Sequence, residues 1–166
     1  MRRHLTMTVL LTICASVMGT MCTCEDRSTR RRETGSAANR CQSHLKQIAL
    51  AMHAYLDDYS GVFPPADRWT DAMTPYLMDR VPLACPSDSG GSNGYAFSRA
   101  LGGKRLSDVR SPTEVPMVYE STAGRPNAAD DGSSWPTKLR HRSGNHCAFV
   151  DGNVQALKRK PGFAVR

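Results

Sequence analysis

From Cys41 onward the chain repeats apolar residues at helical spacing. Cys41, Leu45, Ile48, Met52, Tyr55 and Tyr59 follow one another at steps of four and three, which keeps them on one face of an α-helix. Ala49 and Leu56 widen this stripe, while Lys46, Gln47, His53, Asp57 and Asp58 fall on the opposite side. Gly61 is a stop signal, and Phe63-Pro64-Pro65 cannot continue a helix. The pattern predicts one core-facing helix packed against a sheet, and it explains Met52 and Tyr55 without a ligand.

Beyond Pro65 the signals are shorter. Trp69 to Asp79 predicts one brief helix interrupted at Pro75. Leu83 to Asp88 reads as an extended piece entering a turn. Tyr95–Phe97 and Val115–Tyr119 are candidate strands, with Pro116 restricting the second to a sheet edge or a strand start. Residues 121–139 are rich in Gly, Pro, Asn, Asp and Ser, and predict a long surface loop. At the end, Cys147–Val150 and Val154–Leu157 flank Asp151-Gly152-Asn153. An Asp-Gly pair between β-prone runs predicts a tight hairpin turn with positive φ at both positions. One long helix, short strands and a terminal hairpin make an α+β head on a small antiparallel sheet.

Ahead of this head, Leu5 to Cys22 is uncharged and follows Arg2-Arg3. Its length suits a spanning helix, and the expectation is an anchor helix or a cleaved secretory signal over residues 1–24. Both readings export the rest of the chain. Residues 25–40 then form a charged linker or helix extension, and residues 41–166 form the head. The net charge of +7 divides between the ends, around Arg27–Arg32 and at Lys158-Arg159-Lys160. A solvated charge patch explains these runs better than nucleic-acid binding. No spacing among the six cysteines (Cys14, Cys22, Cys24, Cys41, Cys85 and Cys147) makes a zinc ribbon. Outside the cytoplasm two of Cys41, Cys85 and Cys147 are available for a disulfide, and the spacing does not choose between them.

Several of these segments, taken in order, resemble a known family. Cys41-Gln42-Ser43-His44-Leu45-Lys46-Gln47 resembles a Cys-x-x-Asn-Leu-Lys-Gln helix start, with His44 in place of Asn. Tyr59 to Pro65 is similar to a Tyr…Phe-Pro-Pro helix exit, and Cys85-Pro86-Ser87-Asp88 to a Cys-Pro-Ser-Asp turn. Ser111-Pro112-Thr113-Glu114 resembles a Ser-Pro-Ser-Glu lead into a central strand. His141, nine residues, then Asp151-Gly152 reproduces a His-x9-Asp-Gly spacing. Together they resemble the prepilin-like, pseudopilin-related bacterial envelope proteins with a processing-associated His-x9-Asp-Gly domain.

The resemblance implies a pilin-like head. Its motif residues Cys41, Leu45, Lys46, Gln47, Pro64, Pro65, Cys85, Pro86, Ser87, Asp88, His141, Asp151 and Gly152 are expected to act structurally. It also implies contact with a membrane and with other subunits of a type II secretion or type IV pilus-like system, with no small-molecule substrate. The N-terminus departs from the family pattern: His4 stands where a prepilin has the Gly before its cleavage site, and Val9 where it has Glu. The first substitution crowds the scissile bond. The second removes the carboxylate that would pair with a neighbouring subunit's amine in a fibre.

The chemistry-bearing residues fit this non-enzymatic reading. His141, His146 and Asp151 do not share one strand face, because residues five apart on a strand point oppositely; turn formation explains Asp151, and an interstrand hydrogen bond His141. Ser143-Gly144-Asn145 reads as a loop rather than as part of a nucleophile–base pair, and Cys147 as inert core. The expectation is therefore no catalytic residue, no metal ligand and no cofactor. Calcium at Asp130-Asp131-Gly132 is the lesser option, since regular ligand spacing is absent. The expected function is that of a membrane-anchored structural or accessory subunit with its head outside the cytoplasm. The alternatives are a secreted ligand-binding module released from a cleaved signal, and a hydrolase centred on His141 and Asp151.

Overall fold

The computed structural model describes residues 27–77, 83–85 and 93–165, with residues 27–36 as backbone only. The chain divides into two compact units, Met1–Arg31 and Arg32–Arg166. Of the first, only Arg27–Arg31 are described, as helical backbone. The apolar run Leu5–Cys22 and the motif residues Pro86, Ser87 and Asp88 lie outside the described residues. Among the described residues, no helix is long and apolar enough to cross a membrane.

The second unit is α+β. Helix α1 (Arg27–Asp58) is followed by the short α2 (Trp69–Met73) and strands β1 (Tyr95–Ser98), β2 (Pro116–Glu120), β3 (Ala129–Asp130), β4 (Asn145–Phe149) and β5 (Val154–Leu157). The charged stretch after residue 26 is thus helix rather than linker. The predicted stripe is the buried face: Cys41, Leu45, Ile48, Ala49, Met52, Tyr55 and Leu56 all enter the main core. Tyr59 departs from it. The helix has ended by then, so Tyr59 is 53% exposed and stacks on Tyr55 at 4.1 Å. Ser60 (φ 54°) takes the left-handed position, and Gly61 N–H donates to the Leu56 carbonyl at 2.7 Å. That six-to-one bond closes the helix end.

The sheet order is β3-β1-β2-β4-β5. Three pairings are antiparallel, but β1 and β3 run parallel, with Phe97 opposite Ala129. The sheet is therefore mixed, not antiparallel as expected, because residues 121–128 return the chain to the β1 edge in the β1 direction. Pro116 is the first residue of the central strand β2, a position that requires no donated ladder bond.

The 121–139 segment is likewise more than a surface loop. It contains β3, and it buries Ala128 and Trp135. Its polar residues fasten it down. Asn127 Oδ1 accepts the Thr70 amide at 2.8 Å and its hydroxyl at 2.5 Å, and Trp69 Nε1 donates to the Ala128 carbonyl at 2.8 Å. This segment and Phe163 build a second cluster with Ala96, Tyr119, Cys147 and Phe149. With α1 on one face and this cluster on the other, every residue of β2 and β4 is buried.

The terminal hairpin forms with a different turn from the one predicted. Gly152 N–H donates to Phe149 O at 2.9 Å, and Phe149 N–H to Asn153 O at 2.8 Å, leaving the three residues Val150, Asp151 and Gly152 as the connection. Gly152 has φ +80°, but Asp151 is not among the residues with positive φ. A three-residue connection ending in a left-handed Gly needs only that one unusual position. Asp151 Oδ1 instead accepts the Asn153 amide at 2.9 Å, an Asx turn.

The hairpin end docks on α1: Lys46 Nζ donates to the Gly152 carbonyl at 2.8 Å. His53, expected on the outer side, is half-buried beneath Gly152, 3.3 Å from where a Cβ there would sit.

The burial pattern of α1 predicts a sharp contrast in thermal melts. Ile48→Asp or Met52→Asp places an unpaired charge in the core and should cost more than about 3 kcal/mol. Asp57→Ser, on the exposed face, should stay within about 0.5 kcal/mol of wild type. Equal shifts at all three positions would show that the face is misassigned.

Candidate functional site

Strand alternation aims a carboxylate into the core. Val118 packs on the α1 side of the sheet and Tyr119 on the other, so Glu120 points back toward α1. On β4 the same alternation puts His146, two residues before the α1-facing Ala148, on the same side. Glu120 is 0% exposed and His146 2%.

His141 reaches this point by a turn rather than along a strand. His141 and Gly144 form an isolated bridge, with Gly144 N–H donating to the His141 carbonyl at 3.0 Å. Gly144 has φ +135°, and a Cβ there would lie 2.5 Å from the Leu157 carbonyl oxygen, so the turn requires glycine. Five residues of separation therefore bring the two imidazoles together, with ring centroids 4.7 Å apart.

Both histidines donate to one carboxylate. His141 Nε2 lies 2.8 Å and His146 Nδ1 3.0 Å from Glu120 Oε1. The His146 backbone N–H donates to Oε2 at 3.0 Å. Burial pushes the Glu120 carboxyl up. The His141 and His146 hydrogen bonds, the His141 charge and the His146 amide outweigh that and hold its pKa at about 2. Glu120 is thus a buried carboxylate rather than a buried acid.

The neighbouring Arg140 fixes the approach. Its guanidinium donates to the Gly94 carbonyl at 3.1 Å and the Ser121 carbonyl at 2.5 Å, and its amide donates to Asn145 Oδ1 at 2.8 Å.

The remaining wall is a disulfide between Cys41 on α1 and Cys85, which resolves the pairing that spacing left open. Cys85 Sγ lies 3.7 Å from His141 Nε2 and 3.8 Å from Glu120 Oε1. A disulfide sulfur has no proton to give, so these are contacts rather than donated bonds. Cys147 is the free thiol among the described residues, and burial, then the Glu120 charge, pushes its pKa far up. It is poorly suited to nucleophilic work.

The structure thus unites Cys41, Cys85 and His141 of the sequence-derived set and, among the described residues, separates the others from them. Asp151 is exposed at the hairpin, Gly152 meets Lys46, and Ser143 is exposed. Leu45 and Pro64 are core, while Gln47 and Pro65 are exposed. His141 and Asp151 bond in different places, one on Glu120 and the other in its own turn. Asp130 spends its carboxylate locally, accepting the Tyr119 hydroxyl and the Gly132 amide.

Sequence reasoning missed Glu120, the centre of the cluster. Its signal was a single carboxylate closing the apolar run Val115–Tyr119. Compared with known protein families, curated proteins and solved structures, the chain matches none.

Because folding lowers the Glu120 pKa from its ordinary 4.5 to about 2, its contribution is complete above the unfolded value and is lost as pH falls through the folded one. Glu120→Gln should cost about 1–3 kcal/mol near neutral pH. The gap between wild type and variant should shrink steadily between pH 4.5 and about 2. Denaturant melts across that range check this, and a gap independent of pH would contradict it.

Proposed function

We propose that the chain is a non-enzymatic, pseudopilin-like structural or accessory subunit, anchored in the cell envelope by its N-terminus with the head outside the cytoplasm. The observation that carries this reading is the course of α1. From the first described residue, Arg27, helical backbone continues to Asp58, its buried stripe seated on the small sheet, and the apolar run Leu5–Cys22 lies shortly before it in the sequence. A helix that leaves an apolar N-terminal segment and ends as the spine of an α+β head suits a subunit that works by protein contact.

The chemistry supports the same reading. Glu120, His141 and His146 are all at most 4% exposed and are spent on one another, whereas a catalytic group must meet its substrate. The Cys41–Cys85 disulfide is at home in an oxidising compartment. On the outer face of α1, Leu50 is 59% exposed and offers apolar area to a neighbouring subunit. Membership of a type II secretion or type IV pilus-like system is part of the proposal, with membrane and sister subunits as partners. One observation favours the secreted-module alternative: a hollow of about 350 Å³ lined in part by Arg99, Arg125 and Asn127, on the segment that such a module would use.

Fractionation of cells producing the full chain tests the proposal. The protein should remain with membranes after an alkaline wash. With His4 and Val9 in place of Gly and Glu, its N-terminus should not be an N-methylated Leu5. Release into the medium as a shortened chain would replace this reading with the secreted module.

A further inference from the structure

The walls around Glu120 contain more ligand chemistry than a structural carboxylate uses. Cys41 and Cys85 Sγ, His141 and Glu120 each offer one ligand atom, all four atoms lie within 4.8 Å of one another, and all four residues are buried. We propose that, when the Cys41–Cys85 disulfide is reduced, these residues form a four-ligand site for a zinc-class divalent cation. The proposal does not depend on the envelope reading.

Tetrahedral geometry supports it. With bonds of about 2.3 Å to sulfur and about 2.0–2.1 Å to nitrogen or oxygen, neighbouring ligand atoms of different kinds lie roughly 3.5 Å apart. Cys85 Sγ already stands 3.7 Å from His141 Nε2 and 3.8 Å from Glu120 Oε1. Three adjustments remain: the sulfurs must separate, which reduction allows; Cys41 Sγ must close on ligand atoms that lie up to 4.8 Å away; and His141 and Glu120 must part by roughly half an ångström from their 2.8 Å hydrogen bond.

Two sulfurs, one imidazole and one carboxylate are a donor set that favours zinc over hard cations. The outer support is already present, since His146 holds Glu120 through both its ring and its amide. Such second partners orient metal ligands. The four ligands are scattered over α1, residue 85, β2 and the turn before β4, so no short motif betrays them.

The steps balance. A dithiol reductant supplies two electrons and two protons and leaves as its own disulfide, converting Cys41 and Cys85 to thiols. The cation then displaces both thiol protons to solvent and takes His141 through its neutral ring nitrogen. With two thiolates, one carboxylate, a neutral imidazole and a doubly charged ion, the metal-bound ligand set carries a single net negative charge, and His146 still donates to Glu120.

Cobalt(II) titration of the full chain in detergent tests this, after dithiol reduction and anaerobic desalting. Cys14, Cys22 and Cys24 are replaced by Ser in every protein compared. The reduced chain should take up about one ion, with the intense visible bands of tetrahedral cobalt and a thiolate charge-transfer band, and zinc should bleach both. The oxidised chain should show neither. Cys41→Ser and Cys85→Ser should abolish the signal; reduction removes the disulfide from all chains alike, so these variants start without a handicap. His141→Gln and Glu120→Gln should weaken binding at least about tenfold, and Cys147→Ala should leave it unchanged.

Far-UV circular dichroism covers a reduced chain that unfolds: refolding on addition of zinc supports the site. Absence of the cobalt bands, their persistence in Cys85→Ser, or indifference to His141→Gln would overturn it.

Discussion

The structure turns on one ionised carboxylate in the core. An unpaired buried charge is among the most costly features a fold can contain, so Glu120 dictates what surrounds it. Three donors meet it, two imidazoles and a backbone amide, and each constrains a different piece of chain. The His146 bonds fix the β4 side chain that faces the end of β2. The His141 bond needs the turn at Ser143-Gly144, and that turn passes so close to the Leu157 backbone that only glycine fits. Arg140, next in line, bonds the carbonyls that flank β1 and β2. The Cys41–Cys85 disulfide then ties α1 to the same point.

Packing follows from sealing that centre on both sides. A sheet with one face open would leave alternate residues of β2 and β4 wet, yet both strands are buried throughout. The second cover is the polar 121–139 segment, which buries Ala128 and Trp135 beside Phe163 and fastens several of its polar groups by hydrogen bonds. Asn127 ties it to α2, and Ser121 Oγ donates to Ser134 Oγ at 2.6 Å. At the opposite end, Lys46 holds the hairpin against α1 through the Gly152 carbonyl, with the His53 ring beneath Gly152. The result is a head whose buried chemical groups face inward, with Leu50 on the helix, Tyr59 just past its end and Leu139 in the covering segment as its exposed large apolar residues among those described.

What the sequence displayed was periodic or local. The stripe from Cys41 to Leu56, the stop near Gly61 and the Asp-Gly hairpin are set by neighbours within a few residues, so their signal survives in one dimension. The rest depended on contacts far apart in the chain. Asp151 avoids positive φ because the connection is three residues long, and pairing rather than the dipeptide decides that. The segment 121–139 looked like loop because its polar residues are identical in kind to solvated ones; only Asn127 meeting Thr70 reveals their use. His141 and His146 were separated by a strand argument that fails once the chain turns at Gly144. Glu120 carried no spacing at all, only an incongruous charge at the end of an apolar run.

The central claim is that Glu120 and its histidines act as one structural unit, and a double-mutant cycle measures this most directly. Unfolding free energies of wild type, Glu120→Ala, His141→Ala and the double variant, with the disulfide intact and near neutral pH, give the coupling between the two side chains. A buried carboxylate hydrogen-bonded to an imidazole should show a coupling of at least about 1 kcal/mol, the double variant losing less than the two singles together. Additivity within about 0.5 kcal/mol would contradict the claim, because the two residues would then be neighbours without being partners.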